Sequence, residues 1–135
     1  MLSSEQAARV QEFLAPSHIA IVATIRRDGT PQITPNWYRF DHGRLTISTT
    51  KQRVKYRNLS RDPRLVVCVT SGSRAENYVT LSGRVEISDG DSIWPDTRAI
   101  VERYVSSDGV DERMRDMRTQ DRVIISMVPD QAVFR

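Results

Sequence analysis

Residues 18–26 read HIAIVATIR, and this stretch decides the fold. Its residues are mostly β-branched and almost wholly apolar, which is typical of a central strand that is buried on both faces. Asp28-Gly29 follows and is a strong signal for a tight turn between antiparallel strands. The sequence therefore predicts that the chain turns back on itself here to begin a meander.

Two further strands complete the predicted meander, over residues 30–40 and 44–50. Pro31 and Pro35 mark the first of them as an edge strand or a bulged strand, because proline donates no backbone hydrogen bond. The second alternates polar and apolar residues, which favours one solvent-facing side.

The rest of the chain predicts helices interleaved with strands. Ser3 and Gln6 have the spacing of a capping box for a first helix, which Pro16 ends. Six strands in mostly antiparallel order, with helices outside them, indicate a mainly β fold: a small closed or split barrel in one domain, residues 1–135. Further helices are predicted over 53–59, 97–105 and 110–118, and further strands over 65–70, 78–88 and 122–128.

The composition and net charge limit the classes of function that the protein can have. The 135 residues carry a formal net charge of +3, and the only lysines are Lys51 and Lys55. The many arginines favour an anionic partner, or they are scattered solvated charges. The single cysteine, Cys68, lies in an apolar run and is expected to be a core residue of a protein in a reducing compartment. Without a signal peptide or a spanning segment, we expect a cytoplasmic protein with no membrane partner.

Motifs for self-contained catalysis are absent. The sequence has no Gly-x-Gly-x-x-Gly, no phosphate-binding P-loop and no Gly-x-Ser-x-Gly, and its two histidines, His18 and His42, are too isolated to predict a metal site. Sparse aromatic residues argue against nucleic-acid binding. If the protein is an enzyme, its chemistry is expected to come from a cofactor.

The segment from Ser48 to Leu59 is the best candidate for a cofactor site. Three hydroxyl residues end a strand, and a helix then begins with Arg53 and Lys55. Free backbone N–H groups at a helix start, together with hydroxyls and two cationic side chains, suit a phosphate. The alternative is a solvated basic helix.

Several motifs follow one another along the chain in a set order: the first helix, residues 19–26, Asp28-Gly29, Pro31-Gln32, Ser48–Thr50, Arg53-x-Lys55-x-x-Asn58-Leu59 and Arg61-Asp62-Pro63-Arg64. This order resembles the split-barrel flavin and deazaflavin oxidoreductases, the relatives of pyridoxamine 5′-phosphate oxidase. It is most similar to the branch that uses the deazaflavin coenzyme F420, and the likeness covers almost the whole chain.

The resemblance implies a six-stranded FMN-binding split barrel that forms a homodimer with cofactor sites at the interface. It implies hydride transfer between coenzyme F420, or alternatively FMN, and a small unsaturated organic substrate; a non-catalytic cofactor carrier is a further alternative. Arg53 and Lys55 would hold the cofactor phosphate beside Ser48, Thr49 and Thr50. Ile33, Thr34, Pro35, Asn36 and Trp37 would line the ring, and Tyr78 of the other subunit would pack near it.

Several residues have two possible roles, and others differ from the family pattern. Trp37 either contacts the ring or packs in the core, and Trp94, expected in a polar loop, either covers the site or packs. Lys51, Arg57 and Arg61 are candidates for the acidic tail of coenzyme F420. The C-terminus lacks the family's arginine and histidine positions for pyridoxamine phosphate, so that substrate is not expected. Residues 74–76 and the 89–96 loop are expected to shape substrate access.

Overall fold

The computed structural model describes residues 1–135, which form eight strands, four α-helices and one short 3₁₀ turn. The capping box predicted at Ser3 and Gln6 begins the first helix. The elements are α1 (Ser4–Leu14), β1 (Ala20–Ile25), β2 (Pro31–Asn36), β3 (Arg39–Asp41), β4 (Arg44–Thr50), α2 (Val54–Arg61), β5 (Arg64–Ser71), β6 (Asn77–Ser88), the 3₁₀ turn (Asp91–Ile93), α3 (Trp94–Tyr104), α4 (Val110–Arg118), β7 (Arg122–Met127) and β8 (Gln131–Phe134).

The prediction of six strands is wrong by two. The strand predicted over 30–40 is interrupted at Trp37 and Tyr38. The residues before the break form β2 and pair with β1, and the residues after it form β3 and pair with β4. The second additional strand is β8. It follows Pro129, which comes directly after the last predicted strand, over 122–128. β7 and β8 run along the same edge of β6, and the register slips by one residue between the Val85–Met127 and Ser82–Gln131 pairs. A bulge therefore carries the pairing past the proline.

The sheet curls into a half-barrel with helices outside it. All its pairings are antiparallel, in the order β2-β1-β5-β6-β7-β4-β3, and β8 pairs with β6. Strand β6, twelve residues long, joins the two halves, because its first part pairs with β5 and its last part with β7. One cluster of 16 buried residues fills the inside. None of the helices combines the length and the apolar character that crossing a bilayer requires.

Strand β1 is buried on one face only, which corrects the prediction of burial on both. Val22 and Thr24 are fully buried, whereas Ile19 and Ile21 are 43% and 40% exposed. Side chains alternate along a strand, so the apolar residues of this run supply both the core and the outer surface of the sheet.

The exposed isoleucines belong to a larger apolar surface, here called the outer apolar face. Its large exposed members are Ile19, Ile21, Ile33, Val66 and Val133. The strand registers join all of them except Ile19, which precedes β1, into two rows that each cross five strands, so they form a continuous patch. The rows are Pro35–Ile21–Cys68–Thr80–Val133 and Ile33–Ala23–Val66–Ser82–Gln131.

Tyr38 ties the first helix to the β2–β3 junction. Its ring is fully buried, and its hydroxyl lies 2.9 Å from the carbonyl oxygens of Leu14 and Pro16, to either of which it can donate. Arg103 donates to the same carbonyls and lies over the Tyr38 ring. Burial, above all, raises the pKa of Tyr38 to about 12.

We expect Tyr38→Phe to lower the free energy of unfolding at neutral pH by about 1 kcal/mol, because it removes a buried hydrogen bond. The folded-state pKa of Tyr38 lies above its unfolded value of 10.0, so the wild type loses stability as the pH rises from 10.0 towards about 12. The variant should lose less stability over that range. Urea unfolding at neutral and alkaline pH checks both effects, and equal alkaline slopes for the two proteins would contradict this role.

Candidate functional site

A cavity of about 420 Å³ opens between the β2–β3 junction, strands β4 and β7, and helices α3 and α4. Half of its lining is apolar and the rest includes two arginines, an asparagine and a serine. It contains no carboxylate, histidine or cysteine. The lining residues are Ile19, Pro35, Asn36, Trp37, Ser48, Ile100, Val101, Arg113, Met117 and Arg122.

Trp37 lines the cavity and is also packed. Its ring stacks on Tyr104 with 5.1 Å between centroids and 4° between planes, and the Arg113 guanidinium lies 5.0 Å from its centroid. Tyr104 in turn donates to the carbonyl oxygen of His18 over 2.6 Å. The tryptophan is therefore held in place as one wall of the cavity.

Trp94 lies in a helix, which corrects its predicted place in a loop. It is the first residue of α3, three residues before the predicted helix start, and Pro95 occupies the first turn, where a missing N–H costs nothing. Its ring packs against the small core between α3 and α4 and lies under the Arg118 guanidinium, 4.6 Å from it. Trp94 is not among the residues that line the cavity.

Three cationic side chains gather beside the cavity, close enough for their charges to interact. Arg122 donates to the Ser48 hydroxyl over 3.3 Å and to the Gln120 side chain over 2.7 Å. Arg53 occupies the N-cap position of α2, one residue before the first helical residue, and its side chain makes no capping hydrogen bond. No carboxylate lies within 4.0 Å of any member of this cluster, here called the cation cluster: Arg53, Lys55 and Arg122.

The pKa values show that these charges act on one another. Burial lowers the pKa of Lys55, and the neighbouring Arg53 and Arg122 lower it further. Burial likewise lowers the pKa of Arg122, with Arg53 and Arg113 adding to the effect. Lys55 is only 5% exposed, but its ammonium is not completely buried. This ammonium makes no hydrogen bond to the protein. The cluster therefore favours an anion.

Helix α2 is fixed so that Lys55 stays at this end of the cavity. Asn58 is buried one turn after Lys55 and donates to the Thr24 hydroxyl of β1 over 3.0 Å. Thr24 donates to Gln32 of β2 over 3.2 Å. This buried polar chain braces the helix against two strands.

Lys51 does not belong to the cation cluster. Its ammonium pairs with Asp89 at 3.1 Å and lies 4.0 Å from Asp121. These partners, the Asp89 hydrogen bond first, raise the pKa of Lys51. Its charge is therefore already neutralised within the chain, which weakens its candidacy for an acidic cofactor tail.

The structure divides the predicted site residues into groups. Pro35, Asn36, Trp37 and Ser48 line the cavity. Thr34 accepts a hydrogen bond from the Asn36 side chain over 3.1 Å. Arg53 and Lys55 belong to the cation cluster, Thr49 and Thr50 are buried on β4, and Ile33 and Tyr78 lie on the outer side of the sheet, where Tyr78 is half-buried.

Six cavity residues were not predicted. Arg122 reaches the site because β7 pairs with β4 and sets Arg122 opposite Thr50, a long-range pairing with no local signal. The apolar periodicity of α3 and α4 predicts that each helix packs against the protein, but it does not identify the residues that each helix contacts. The six are Ile19, Ile100, Val101, Arg113, Met117 and Arg122.

Residues 7–134 match the family model described as pyridoxamine 5′-phosphate oxidase. The chain belongs to this family. The match covers nearly the whole sequence, in agreement with the resemblance inferred from its motifs, and the family is one of flavin-binding split-barrel oxidoreductases.

Several solved structures have a similar fold. A protein titled F420 reductase is 27% identical, with a TM-score of 0.72, and the match covers 91% of this chain and 94% of that one. A conserved hypothetical protein from Mycobacterium tuberculosis is 25% identical, with a TM-score of 0.79, and the match covers 99% and 84%. A putative pyridoxamine 5′-phosphate oxidase from Listeria innocua shares the fold at 15% identity, with a TM-score of 0.72 and coverage of 96% and 97%.

Proposed function

We propose that this family member is an oxidoreductase that binds coenzyme F420 at the interface of a homodimer. It transfers a hydride to or from an unsaturated organic substrate. The observation that carries the proposal is the cation cluster, which has no carboxylate partner and adjoins a cavity with apolar walls. The similarity to an F420 reductase at 27% identity supports the choice of cofactor.

The residues present fit a phosphate-bearing cofactor. Arg53 and Lys55 hold the phosphate, since a buried ammonium without a partner is costly until an anion arrives. Ser48 and Arg122 orient the same group through their mutual hydrogen bond. Asn36 and Trp37, held by Thr34 and Tyr104, form a rigid edge for the ring.

The cofactor, when bound, supplies the hydride chemistry. The chain positions the ring, excludes water with its apolar wall and provides cations that stabilise negative charge. The cavity has no acidic or basic side chain of its own other than the two arginines, so proton transfer at this wall relies on water or on the Ser48 hydroxyl.

The homodimer is supported by the outer apolar face. Five large apolar side chains, each at least 40% exposed, form one patch on the curled sheet. A contiguous patch of this kind on a small protein marks an association surface. Its rows include Pro35, which also lines the cavity, so a second copy seated on this face would close the cavity from one side.

The direct test is titration of the purified protein with oxidised F420 and, in parallel, with FMN, followed by absorbance and fluorescence. We expect saturable F420 binding with a dissociation constant on the order of micromolar, and weaker FMN binding. Tight FMN binding without F420 binding would replace the deazaflavin by FMN, an alternative consistent with the flavin binding of the family. Failure of both to bind would overturn the proposal.

The exposed side of α2 offers a test for the F420 tail. Arg53, Arg57 and Arg61 are spaced four residues apart on this helix, and none has a carboxylate within 4.0 Å. An oligoglutamate tail would gain from Arg57 and Arg61, whereas FMN has no such tail.

We therefore expect Arg57→Gln/Arg61→Gln to weaken F420 binding about tenfold at low salt and to leave FMN binding unchanged. Arg61 also donates to the Ile25 carbonyl over 2.7 Å, so thermal unfolding of the variant must be measured as a control. Equal losses for F420 and FMN would contradict a role in tail binding.

A further inference from the structure

We propose that Arg113 recognises a carboxylate on the substrate, so that the preferred acceptor is a flat, apolar molecule with an acidic group. This rests on the proposed function, because it assigns the part of the same cavity that the cofactor phosphate does not use. Arg113 is then a residue that determines substrate specificity.

The cavity lining has two chemically different parts. Strands β4 and β7 contribute Ser48 and Arg122, which adjoin the Arg53–Lys55 pair and suit the cofactor phosphate. The late helices contribute the other part, with Ile100 and Val101 from α3 and Arg113 and Met117 from α4. These side chains surround space for an apolar body beside a single exposed guanidinium.

Arg113 has no anionic partner within the chain. Its guanidinium makes no ion pair and no hydrogen bond to the protein, and its one described interaction is with the face of Trp37. Stacking on an aromatic face leaves the N–H donors at the guanidinium edge free. Those donors match the two oxygens of a carboxylate.

The surrounding charge strengthens the preference for an anion. Arg113 is close enough to Arg122 to lower that side chain's pKa, and no carboxylate lines the cavity to offset either charge. A phosphate on the Arg53–Lys55 side leaves Arg113 as the cation nearest the apolar wall. An acidic substrate would neutralise it.

A second arginine on the same helix provides a matched control. Arg118 is also exposed and also lies over a tryptophan, Trp94, at 4.6 Å, but it does not line the cavity. A purely structural stacking role predicts similar behaviour for the two arginines. A specificity role predicts a difference.

The experiment compares binding of 2-naphthoate and neutral 2-naphthamide to cofactor-loaded protein by isothermal titration calorimetry. We expect naphthoate to bind the wild type about tenfold more tightly than naphthamide, and Arg113→Gln to abolish this preference. Arg113→Lys should retain part of it, and Arg118→Gln all of it. The affinity of each variant for the cofactor, measured separately, should remain within about twofold of wild type.

The assignment would be overturned if the wild type showed no preference for naphthoate or bound neither probe, if Arg113→Gln kept the same preference, or if Arg118→Gln showed the same loss. Loss of cofactor affinity in Arg113→Gln would instead place Arg113 in the cofactor site and also refute it. Failure of the proposed function is seen separately, because the wild type would then bind neither F420 nor FMN.

Discussion

The variant Arg53→Ala/Lys55→Met is expected to bind F420 and FMN at least about a hundredfold more weakly than wild type. Each of these side chains offers a charge-assisted hydrogen bond to the phosphate, typically ~1.5–3 kcal/mol, and a factor of ten in affinity corresponds to ~1.4 kcal/mol. Both cofactors should be affected, because both carry a phosphate. Fluorescence titration measures the loss.

Lys51→Met is the matched control, because it removes the chain's other lysine. The Lys51 ammonium is already paired with Asp89, so this variant should bind both cofactors with an affinity within about twofold of wild type. An unchanged affinity in Arg53→Ala/Lys55→Met, or an equal loss in Lys51→Met, would show that the cation cluster is not the phosphate site.

Lys55 also links binding to stability. Burial and two nearby guanidinium groups disfavour its charge, so the cofactor-free protein pays a free-energy cost for holding it. Lys55→Met should therefore raise the free energy of unfolding of the cofactor-free protein, by about 1 kcal/mol, while weakening phosphate binding. A purely structural lysine would show the opposite change in stability.

The second large effect is expected from Val66→Asp on the outer apolar face. This valine is 43% exposed and sits between Ala23 and Ser82 in the middle of a row. In a symmetric dimer this substitution places two carboxylates in the interface, each buried without a partner. Their burial makes the free energy of association less favourable by several kcal/mol. We expect the dimer dissociation constant to rise at least about a hundredfold, and cofactor binding to weaken with it.

Val128→Asp is the control for this substitution. Val128 is 48% exposed, close to the value for Val66, but it follows β7 and lies outside the outer apolar face. Analytical ultracentrifugation should find Val66→Asp monomeric and Val128→Asp unchanged. The thiol of Cys68, two residues from Val66 on the same face, should react faster with a thiol reagent in the monomeric variant. A monomeric wild type, or a dimeric Val66→Asp, would contradict the assignment of this face.

Local signals predicted much of the fold. The capping box of α1, the Asp28-Gly29 turn and the hydrophobic patterns of β4, β5 and β6 act within a few residues, so their elements form where expected. The chain departs from the predictions where long-range pairing outweighs local chemistry. β8 continues along β6 despite Pro129, because a bulge shifts the register by one residue and the pairing then resumes.

The candidate site shows the same division between local sequence signals and long-range packing. Arg53, Lys55 and Ser48 were predicted because their residue types and spacing suit a phosphate. Arg113 and Arg122 could not be predicted, because they reach the cavity through the packing of α4 and the pairing of β7 with β4. Ile21 and Cys68 of the outer apolar face are predicted to be core residues, since a residue buried within the chain and one available to a second subunit have the same apolar pattern.

A crystal structure of the protein grown with coenzyme F420 tests the central claim most directly. We predict a dimer joined through the outer apolar face, with the cofactor phosphate about 3 Å from the Arg53 guanidinium and the Lys55 ammonium. A phosphate bound elsewhere, with these two side chains facing only solvent, would contradict this account.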